Sequence, residues 1–312
     1  MHKETKMSRK LVIGANGQIG SELVYGLASK FGNDNIIASD INESKLVESI
    51  TFEKLDVLDK DNLKQILIKH NIKEVYLLAA ILSATGEKNP LFAWELNMTG
   101  LLNILELAKE KVIDKIFWPS SIAVFGTKSN LSFVKQDSIL NPNTIYGISK
   151  LAGERLIDYY NNKFDLDIRS LRYPGIISFD TKPGGGTTDY IIEMIQSLKN
   201  EKEYTCFLNK NTKLPMLYID DAINGTIKYM SINKINLRVK DAYNITGFSI
   251  TPFELEKKLN ELGCSAKVIY NSDFRQDIAD TWPKEIDDST ARKDWGWKFD
   301  YGIDKTLKVV FK

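Results

Sequence analysis

A tyrosine followed four residues later by a lysine occurs three times in the chain, and such a pair can transfer protons. Free tyrosine has a pKa of about 10, and a neighbouring ammonium group favours its phenolate form. A Tyr146 phenolate beside Lys150 could therefore remove a proton from a substrate hydroxyl. Ser121 precedes Tyr146 by 25 residues and could hold the same hydroxyl. The other two pairs have no such serine, and we interpret them as surface residues: Tyr159/Lys163 and Tyr301/Lys305.

A second group of residues has the spacing of a nucleotide-binding turn. The segment "GANGQIG" places Gly14, Gly17 and Gly20 between an apolar run and an amphipathic one, and it contains Gln18 and Ile19. Glycines at this spacing let backbone N–H groups and a helix N-terminus approach a pyrophosphate closely. A tight strand-to-helix turn without a ligand would have the same spacing.

The residues that end the next strands favour a dinucleotide at this turn. Asp40 lies twenty residues beyond Gly20, where a carboxylate binds the adenosine ribose hydroxyls and repels a 2′-phosphate. Neither Ile41 nor Asn42 is an arginine that would accept such a phosphate, so we predict NAD rather than NADP. Asp56 could contact the adenine or could equally be a strand-end turn residue. Further cofactor contacts are predicted at the ends of the third and fourth strands: Val57, Leu78, Ala79 and Ala80.

The elements that must position these residues alternate along the chain. Apolar runs predict strands at 10–15, 35–40, 51–56, 74–80, 115–121 and 166–174. Amphipathic runs predict helices between them, at 17–30, 59–71, 92–110 and 141–164. This alternation predicts an α/β fold with a doubly wound parallel sheet covered on both faces. The carboxyl ends of such strands share one edge, where ligands bind.

After Pro174 the alternation breaks, which predicts a small α/β lobe woven into the first domain. We expect an NAD-binding Rossmann domain and a substrate-binding lobe, formed respectively by 8–176 with 218–247 and 291–312, and by 177–217 with 248–290. The predicted elements of this part of the chain are a helix over 188–200, a strand over 204–209, a helix over 218–230, and a helix with Thr251 as N-cap, Pro252 in its first turn and Glu254 completing a capping box.

Composition argues against several classes of partner. The 312 residues carry a formal net charge of +1 with both signs interleaved, so nothing favours nucleic acid or an acidic membrane. No apolar run approaches the ~20 residues of a membrane-spanning helix. The polar start lacks a signal-peptide pattern, so we expect a cytoplasmic protein, and a start at Met7 would leave residues 1–6 as a disordered or non-native leader.

The cysteines and histidines indicate a reducing compartment and no metal centre. Cys206 and Cys264 are far apart in the sequence and fit buried free thiols. A structural zinc site needs four ligands, usually in close pairs. With only His2 and His70 besides the cysteines, we predict no metal cofactor.

Taken together, the motifs resemble the extended short-chain dehydrogenase/reductases. The matching residues are Gly14, Gly17, Gly20, Asp40, Ser121 in "PSSIAVFG", and Tyr146 with Lys150 in "YGISK". Five further stretches are similar, in order, to the short-chain type of L-threonine 3-dehydrogenases: "LRYPGIIS", "KPGGGTTDY", "LPMLYIDDA", "DIADTWP" and "DDSTARKDWGW". The resemblance covers the chain from about residue 9 to its end. Members often have threonine where Ser121 stands, but serine keeps the hydroxyl.

The resemblance implies that the protein oxidises L-threonine to 2-amino-3-oxobutanoate with NAD. Tyr146 would be the base and Ser121 would hold the substrate hydroxyl. Lys150 and the positive nicotinamide of NAD would both lower the Tyr146 pKa, and Lys150 would also bond the nicotinamide ribose. It also implies cofactor contacts from Asn97, Tyr173 and Ile176.

The run "PGGGTTDY" at 183–190 is the predicted site for the amino-acid part of such a substrate. Bare backbone N–H groups can bind a carboxylate, so Gly185, Gly186 and the Thr187 hydroxyl are the candidates. Asp189 or Thr188 could face the ammonium group, although Asp189 could equally cap the following helix. A flexible connector between lobes is the alternative interpretation. Two further pocket residues are expected: Ser83 and Trp282.

A nucleotide-sugar epimerase or dehydratase is the nearest alternative, since it would use the same tyrosine, lysine and serine with bound NAD. Such an enzyme needs basic residues in its lobe, and this chain has some: Lys182, Lys210, Lys213 and Arg275. A non-catalytic NAD-dependent regulator is a second alternative, against which the intact Ser121, Tyr146 and Lys150 argue.

The family resemblance also implies partners. A homodimer is expected, in which helices 92–110 and 142–163 pair across a two-fold axis. Four leucines could lie in that interface or be buried within one chain: Leu101, Leu105, Leu151 and Leu156. A functional link to a coenzyme-A-dependent ligase that acts on the keto product is a further expectation.

Overall fold

The computed structural model describes residues 8–44, 46–180 and 184–311. The proposed leader, Met7 and Lys182 lie outside the described residues. The described strands are β1 Arg9–Ile13, β2 Ile36–Asp40, β3 Thr51–Lys54, β4 Ile72–Leu77, β5 Lys115–Phe117, β6 Ser120–Ser121, β7 Asp167–Arg169, β8 Leu171–Tyr173, β9 Gly175–Ile177, β10 Tyr204–Cys206, β11 Leu214–Tyr218, β12 Tyr243–Asn244, β13 Phe248–Ile250 and β14 Val268–Tyr270.

The described α-helices include the predicted ones and add short helices in both halves of the chain. They are α1 Gln18–Phe31, α2 Lys60–Lys69, α3 Ser83–Lys88, α4 Pro90–Lys109, α5 Ile145–Phe164, α6 Tyr190–Lys199, α7 Ile219–Ser231, α8 Pro252–Glu261, α9 Phe274–Ala279, α10 Ser289–Trp295 and α11 Ile303–Val310. None of them is both long and apolar enough to cross a membrane, as far as the described residues go.

The central sheet confirms the predicted fold class. Six parallel strands run in the order β3-β2-β1-β4-β5-β7, so the chain winds outward twice from β1. Successive side chains of a strand point to opposite faces. Val12 accordingly lies in the core beneath α1 and α7, whereas Leu11 and Ile13 lie in the core beneath α2 and α4. Burial on both faces explains the apolar runs of three inner strands, at 11–13 in β1, 36–38 in β2 and 75–77 in β4.

Two predicted strands, 115–121 and 166–174, are each divided in the structure. The first breaks at Trp118 and Pro119, and the second at Ser170, so that β6 and β8 form a second sheet in the order β12-β8-β6. Proline has no N–H to donate to a ladder, and Ser120 donates its N–H to the Ser170 hydroxyl (3.1 Å). The prediction of single strands was wrong because it ignored these breaks. Ser121 therefore ends a strand that is offset from the central sheet.

The second half of the chain contributes two small sheets, with orders β13-β11-β9 and β10-β14. The predicted capping box is confirmed: the Thr251 hydroxyl accepts a hydrogen bond from the Glu254 N–H (3.1 Å), and the Glu254 carboxylate accepts one from the Thr251 N–H (2.8 Å). β11 went unpredicted because Pro215 interrupts its pattern. The proposed division into two domains stays a prediction.

Candidate active site

The carboxyl ends of β1, β4 and β6 open into one cleft with a volume of about 960 Å³. Residues predicted from three separate motifs line it together. The lining residues that were predicted to contact the cofactor, take part in catalysis or contact the substrate are Gly14, Gly17, Gln18, Ile19, Gly20, Leu78, Ala80, Tyr173, Ile176, Ser121, Tyr146, Lys150, Ser83, Gly186, Thr187, Thr188 and Trp282. The predicted site residues that do not line it are Asp40, Ile41, Asp56, Val57, Ala79, Asn97 and Gly185.

The glycine turn has the geometry that a dinucleotide requires. Gly14 has φ +86°, and a Cβ there would lie 2.6 Å from the Ala79 nitrogen. A Cβ on Gly20 would overlap the Gly14 carbonyl oxygen. The turn is closed by the Ser39 carbonyl, which accepts from the N–H groups of Gly14 and Ala15 (both 2.9 Å). Because α1 begins at Gln18, its N-terminus faces the cleft where a pyrophosphate would lie.

Asp40 ends β2 beside this turn and is held by backbone donors. Its two carboxylate oxygens accept hydrogen bonds from the N–H groups of Asn16 and Asn42 (each 3.1 Å). Ile41, the next residue, is 56% exposed, so its side chain is available to cover an adenine ring. The contacts of both residues with a cofactor stay predictions.

Replacing Asp40 by asparagine is expected to narrow the preference for NAD over NADP at least tenfold. Asparagine keeps an acceptor but removes the charge that repels a 2′-phosphate. The measurement is the dissociation constant of NADH and of NADPH, from the fluorescence of the reduced nicotinamide. Asp56→Asn is the matched control, since adenine is common to both cofactors; an unchanged NADH/NADPH ratio in Asp40→Asn would contradict the assignment.

The remaining predicted cofactor residues have structural contacts of their own. Asp56 follows the end of β3 and accepts a hydrogen bond from the Leu58 N–H (3.0 Å), as a turn residue does. Val57 is buried against Gly100. Asn97 bonds the N–H (2.9 Å) and the carbonyl (3.2 Å) of Ile81, and thereby holds the segment after β4.

Ser121, Tyr146 and Lys150 come together at one wall of the cleft. Tyr146 lies in the first turn of α5, which begins after the Thr144 N-cap, and its hydroxyl bonds the Ser121 side chain. The Lys150 amine donates to the Pro119 carbonyl (2.7 Å). It also lies 4.1 Å from the centroid of a Trp118 ring and 5.6 Å from that of Tyr146. The predicted serine–tyrosine–lysine group is therefore assembled.

Burial moves the pKa values of both Tyr146 and Lys150 away from their usual ranges. Burial raises the pKa of Tyr146 to about 12, and the hydrogen bond from Ser121 opposes it only in part. Burial also lowers the pKa of Lys150 to about 7, although the negative charge of Glu154 acts to raise it. The expectation that Lys150 and the positive nicotinamide together favour the Tyr146 phenolate stays a prediction for the cofactor-bound protein, since burial sets the direction of both shifts without the cofactor. A further positive charge in the cleft would favour the phenolate.

On the opposite wall, Ser83 and Thr187 bond each other. Their hydroxyl oxygens lie 3.1 Å apart, and the Thr187 N–H donates to the Ser83 hydroxyl (3.4 Å). Both side chains are buried. Trp282 lies nearby with 6% of its surface exposed, and its indole N–H has no hydrogen-bond partner in the described part of the chain.

The Gly185 and Gly186 N–H groups, which were predicted to bind a substrate carboxylate, bind the Asp189 carboxylate in this structure. Its Oδ2 accepts from Gly185 (3.0 Å) and Gly186 (2.7 Å). Asp189 stands at the N-cap position of α6, but its side chain makes no capping bond, so that interpretation was wrong. Burial raises its pKa to about 6, although both N–H groups favour the carboxylate.

Sequence reasoning missed several cleft residues, of which Glu22 and Asp180 are the most unusual. Their side chains bond each other, and burial together with Asp180 raises the Glu22 pKa to about 7. Glu22 is the single acidic residue of α1 and follows Gly20 by two positions. This closeness to the glycine turn could have predicted that Glu22 lines the cleft. The other missed lining residues include Asn16, Tyr25, Leu46 and Leu82.

Two of the basic residues that a sugar-nucleotide enzyme would use lie outside this cleft. Lys210 and Lys213 line a separate cleft of about 760 Å³ that shares Trp282 with the first. Arg275 is paired with Asp273 (2.6 Å). No cluster of three or more histidine, cysteine, aspartate or glutamate residues suited to a metal ion occurs within 8–44, 46–180 and 184–311.

The fold and this cleft are those of a dinucleotide-binding protein with a serine–tyrosine–lysine group. Residues 10–246 match the model of the NAD dependent epimerase/dehydratase family, and the chain belongs to that family. The resemblance to extended short-chain dehydrogenase/reductases is thereby confirmed, and a nicotinamide cofactor is implied.

Known relatives extend over nearly the whole chain. An uncharacterized epimerase/dehydratase of Staphylococcus saprophyticus is 41% identical over 308 residues, 97% of this chain and 96% of its own length. The mitochondrial L-threonine 3-dehydrogenase of Sus scrofa is 41% identical over 310 residues, 98% of this chain and 83% of its own.

Solved structures agree with these relatives. The L-threonine dehydrogenase of Cupriavidus necator in its holo form has 44% identity and a TM-score of 0.94, covering 96% of this chain and 98% of its own. A monomeric L-threonine 3-dehydrogenase from a metagenome, in its apo form, has 46% identity and a TM-score of 0.93, covering 96% of each chain.

Proposed function

We propose that the protein oxidises L-threonine to 2-amino-3-oxobutanoate with NAD. One observation carries the proposal: Ser121, Tyr146 and Lys150 share a cleft with a glycine-rich segment whose N–H groups bind a carboxylate. Several relatives that span nearly the whole chain are threonine dehydrogenases, which fits a site for a small amino acid.

The chain's own residues account for the proton transfer. Tyr146 removes the proton from the threonine side-chain hydroxyl, while Ser121 holds that hydroxyl and shares the charge that develops on its oxygen. NAD, when bound, supplies the hydride acceptor, and its positively charged ring favours the Tyr146 phenolate. Lys150 stabilises the phenolate from the other side and is positioned to bond the nicotinamide ribose.

The charged ends of threonine would be held by the glycine-rich segment. The substrate carboxylate takes the place of the Asp189 carboxylate on the N–H groups of Gly185 and Gly186, and the Thr187 hydroxyl adds a further donor. The released Asp189, or the Thr188 hydroxyl, then faces the substrate ammonium. When Asp189 faces the ammonium, this exchange keeps every buried charge paired, which a dry pocket requires.

The test is the formation of NADH from purified protein with NAD and one substrate at a time. L-threonine, L-serine, L-allo-threonine and UDP-glucose are compared at equal concentration. We expect a rate with L-threonine at least tenfold above the others. An epimerase or dehydratase returns the hydride to its product and accumulates no NADH, so UDP-glucose is also followed by NMR; its conversion, with no rate from any amino acid, would favour the sugar-nucleotide alternative.

A homodimer is the proposed assembly, and gel filtration with light scattering checks it. Leu101 and Leu105 are fully buried within one chain, which is the second of the two alternatives expected for them. The exposed apolar residues of α4 and α5 are the better candidates: Leu91, Phe92, Trp94, Leu102, Ile148 and Tyr159. We expect twice the monomer mass for the wild type, and monomer mass for a Leu91→Glu, Trp94→Glu variant. A wild-type monomer, as in the relative described as monomeric, would remove this assembly.

The oxidised product is a 2-amino-3-oxo acid, which loses carbon dioxide readily. An enzyme that uses it, by our proposal a coenzyme-A-dependent ligase yielding glycine, must therefore act soon after its release. Whether that link exists in the cell is tested by isotope transfer from threonine to glycine in an extract with and without coenzyme A.

A further inference from the structure

Glu154 is a buried carboxylate close to the active site that no step of the proposed mechanism uses. It lies one helical turn after Lys150 on α5 and is fully buried. Its oxygens accept hydrogen bonds from Arg172 Nε (2.9 Å) and Nη2 (2.8 Å) and from the Ser120 hydroxyl (2.5 Å). A fully buried carboxylate persists only when it is paired, and here its partners adjoin the catalytic residues.

We propose that Glu154 is a positioning residue of the active site, which fixes Ser121 through its neighbour Ser120 and balances the charge of the Lys150 ammonium. The inference deepens the proposed function and rests on it for its kinetic part. It has two components, one geometric and one electrostatic.

The geometric component follows from how β6 is held. Ser120 pairs with Arg172 across the β6–β8 ladder, and Glu154 bonds the side chains of both. Pro119 immediately precedes Ser120, and its carbonyl accepts a hydrogen bond from the Lys150 amine. The short strand that ends in Ser121 is thus tied to two successive turns of α5, the helix that also carries Tyr146. Glu154 thereby fixes the separation of the Ser121 and Tyr146 hydroxyls.

The electrostatic component follows from the groups around Lys150. Beside it lie the Trp118 and Tyr146 rings and the Pro119 carbonyl, and Glu154 lies one helical turn further along α5. Burial lowers the pKa of Lys150 to about 7, and Glu154 is the charge that opposes this shift. Glu154 also neutralises Arg172, whose other polar partners are the neutral Asn244 side chain (3.1 Å) and the Gln136 carbonyl (3.3 Å), with the Asp241 carboxylate 3.8 Å away. Removing Glu154 would therefore take away the charge that favours the Lys150 ammonium and would leave Arg172 without its nearest carboxylate.

A purely structural role for the Glu154–Arg172 pair is the competing explanation, and the choice of variants separates the two. Glu154→Gln alone leaves Arg172 buried and unpaired, which is expected to destabilise the fold strongly. The double variant Glu154→Gln, Arg172→Gln removes both charges while keeping side chains that can bond each other. Ser120→Ala removes only the hydroxyl link and leaves the ion pair intact.

The first readout is the titration of the Lys150 amine, followed by nitrogen NMR of protein labelled with [¹⁵N]lysine and assigned by its loss in Lys150→Met. We expect a midpoint near pH 7 in the wild type and a midpoint lower by about one pH unit in the double variant. Ser120→Ala is expected to leave the midpoint unchanged. This measurement needs no substrate, so it judges the electrostatic component even if the wild type does not oxidise threonine.

The second readout is kcat for threonine as a function of pH. At pH 7 we expect the double variant to be slower by about tenfold, and Ser120→Ala by about threefold with an unchanged pH profile. If the double variant matches the wild type in midpoint and rate, the pair is structural and the proposal is overturned. If Ser120→Ala has full activity, the geometric component is wrong.

Discussion

Tyr146→Phe is expected to lower the rate of NADH formation from threonine by about a thousandfold, within the 10²–10⁴ range of a general base. Phenylalanine keeps the ring that lines the cleft and removes only the hydroxyl that bonds Ser121. The loss should fall on kcat, because no contact with the charged ends of threonine is changed. The affinity for NADH, measured by fluorescence, should stay within about twofold.

The chain offers a matched control for this change. Tyr159 lies on the same helix, is followed by Lys163 at the same spacing, and is 53% exposed. Tyr159→Phe should leave kcat unaltered. If only Tyr146→Phe lowers kcat, the proton transfer depends on the place of Tyr146 in the cleft and not merely on a lysine four residues later. Retention of more than a tenth of the rate in Tyr146→Phe would mean that another group removes the proton.

The fold could be predicted because its signals are local and repeated. The inner strands β1, β2 and β4 contain short apolar runs, and the helices between them impose the crossovers, so the alternation alone predicted a doubly wound sheet. The glycine turn was equally accessible, since the close approach of Gly20 to the Gly14 carbonyl is a contact across six residues. Ser121 and Tyr146 could be grouped because each stands where a strand ends or a helix begins.

Other features depend on tertiary contacts that spacing does not contain. The break at Pro119 moved Ser121 into a second sheet, because Ser120 found its partner in Ser170, fifty residues away. The direction of the Tyr146 pKa shift depends on how deeply the ring is buried. The α4 helix is apolar around most of its surface, so sequence could not tell the buried Leu101 from the exposed Leu102.

The Asp189 carboxylate binds the N–H groups that the sequence analysis predicted to bind a substrate carboxylate. The triple glycine did predict N–H groups that bind a carboxylate. That the chain supplies this carboxylate itself, from four residues further on, requires the turn at Gly185. The same turn makes the segment's function testable without touching the catalytic residues.

Gly185→Val, Gly186→Val is expected to raise the Michaelis constant for threonine by about a hundredfold. Gly185 has φ +86°, which a β-branched residue adopts only with strain. A Cβ there would also overlap the Thr85 hydroxyl, and one on Gly186 would lie 3.0 Å from Asp189 Oδ1. The two N–H groups would be displaced from the anion site. Each charge-assisted hydrogen bond contributes about 1.5–3 kcal/mol, and 1.4 kcal/mol corresponds to tenfold in affinity.

NAD binding separates this effect from general damage to the lobe, since the glycine turn at Gly14 is distant in sequence and on another wall of the cleft. The NADH dissociation constant should change by less than about twofold.

Gly263→Val is the matched control: its φ is +91°, but nothing lies within 4 Å of a Cβ there, so backbone strain is introduced without contact with the site. Equal threonine kinetics in the double variant and the wild type would show that the segment only connects elements. An increase shared by Gly263→Val would assign the effect to strain in the lobe, whereas an increase confined to the double variant would locate carboxylate recognition at residues 185 and 186.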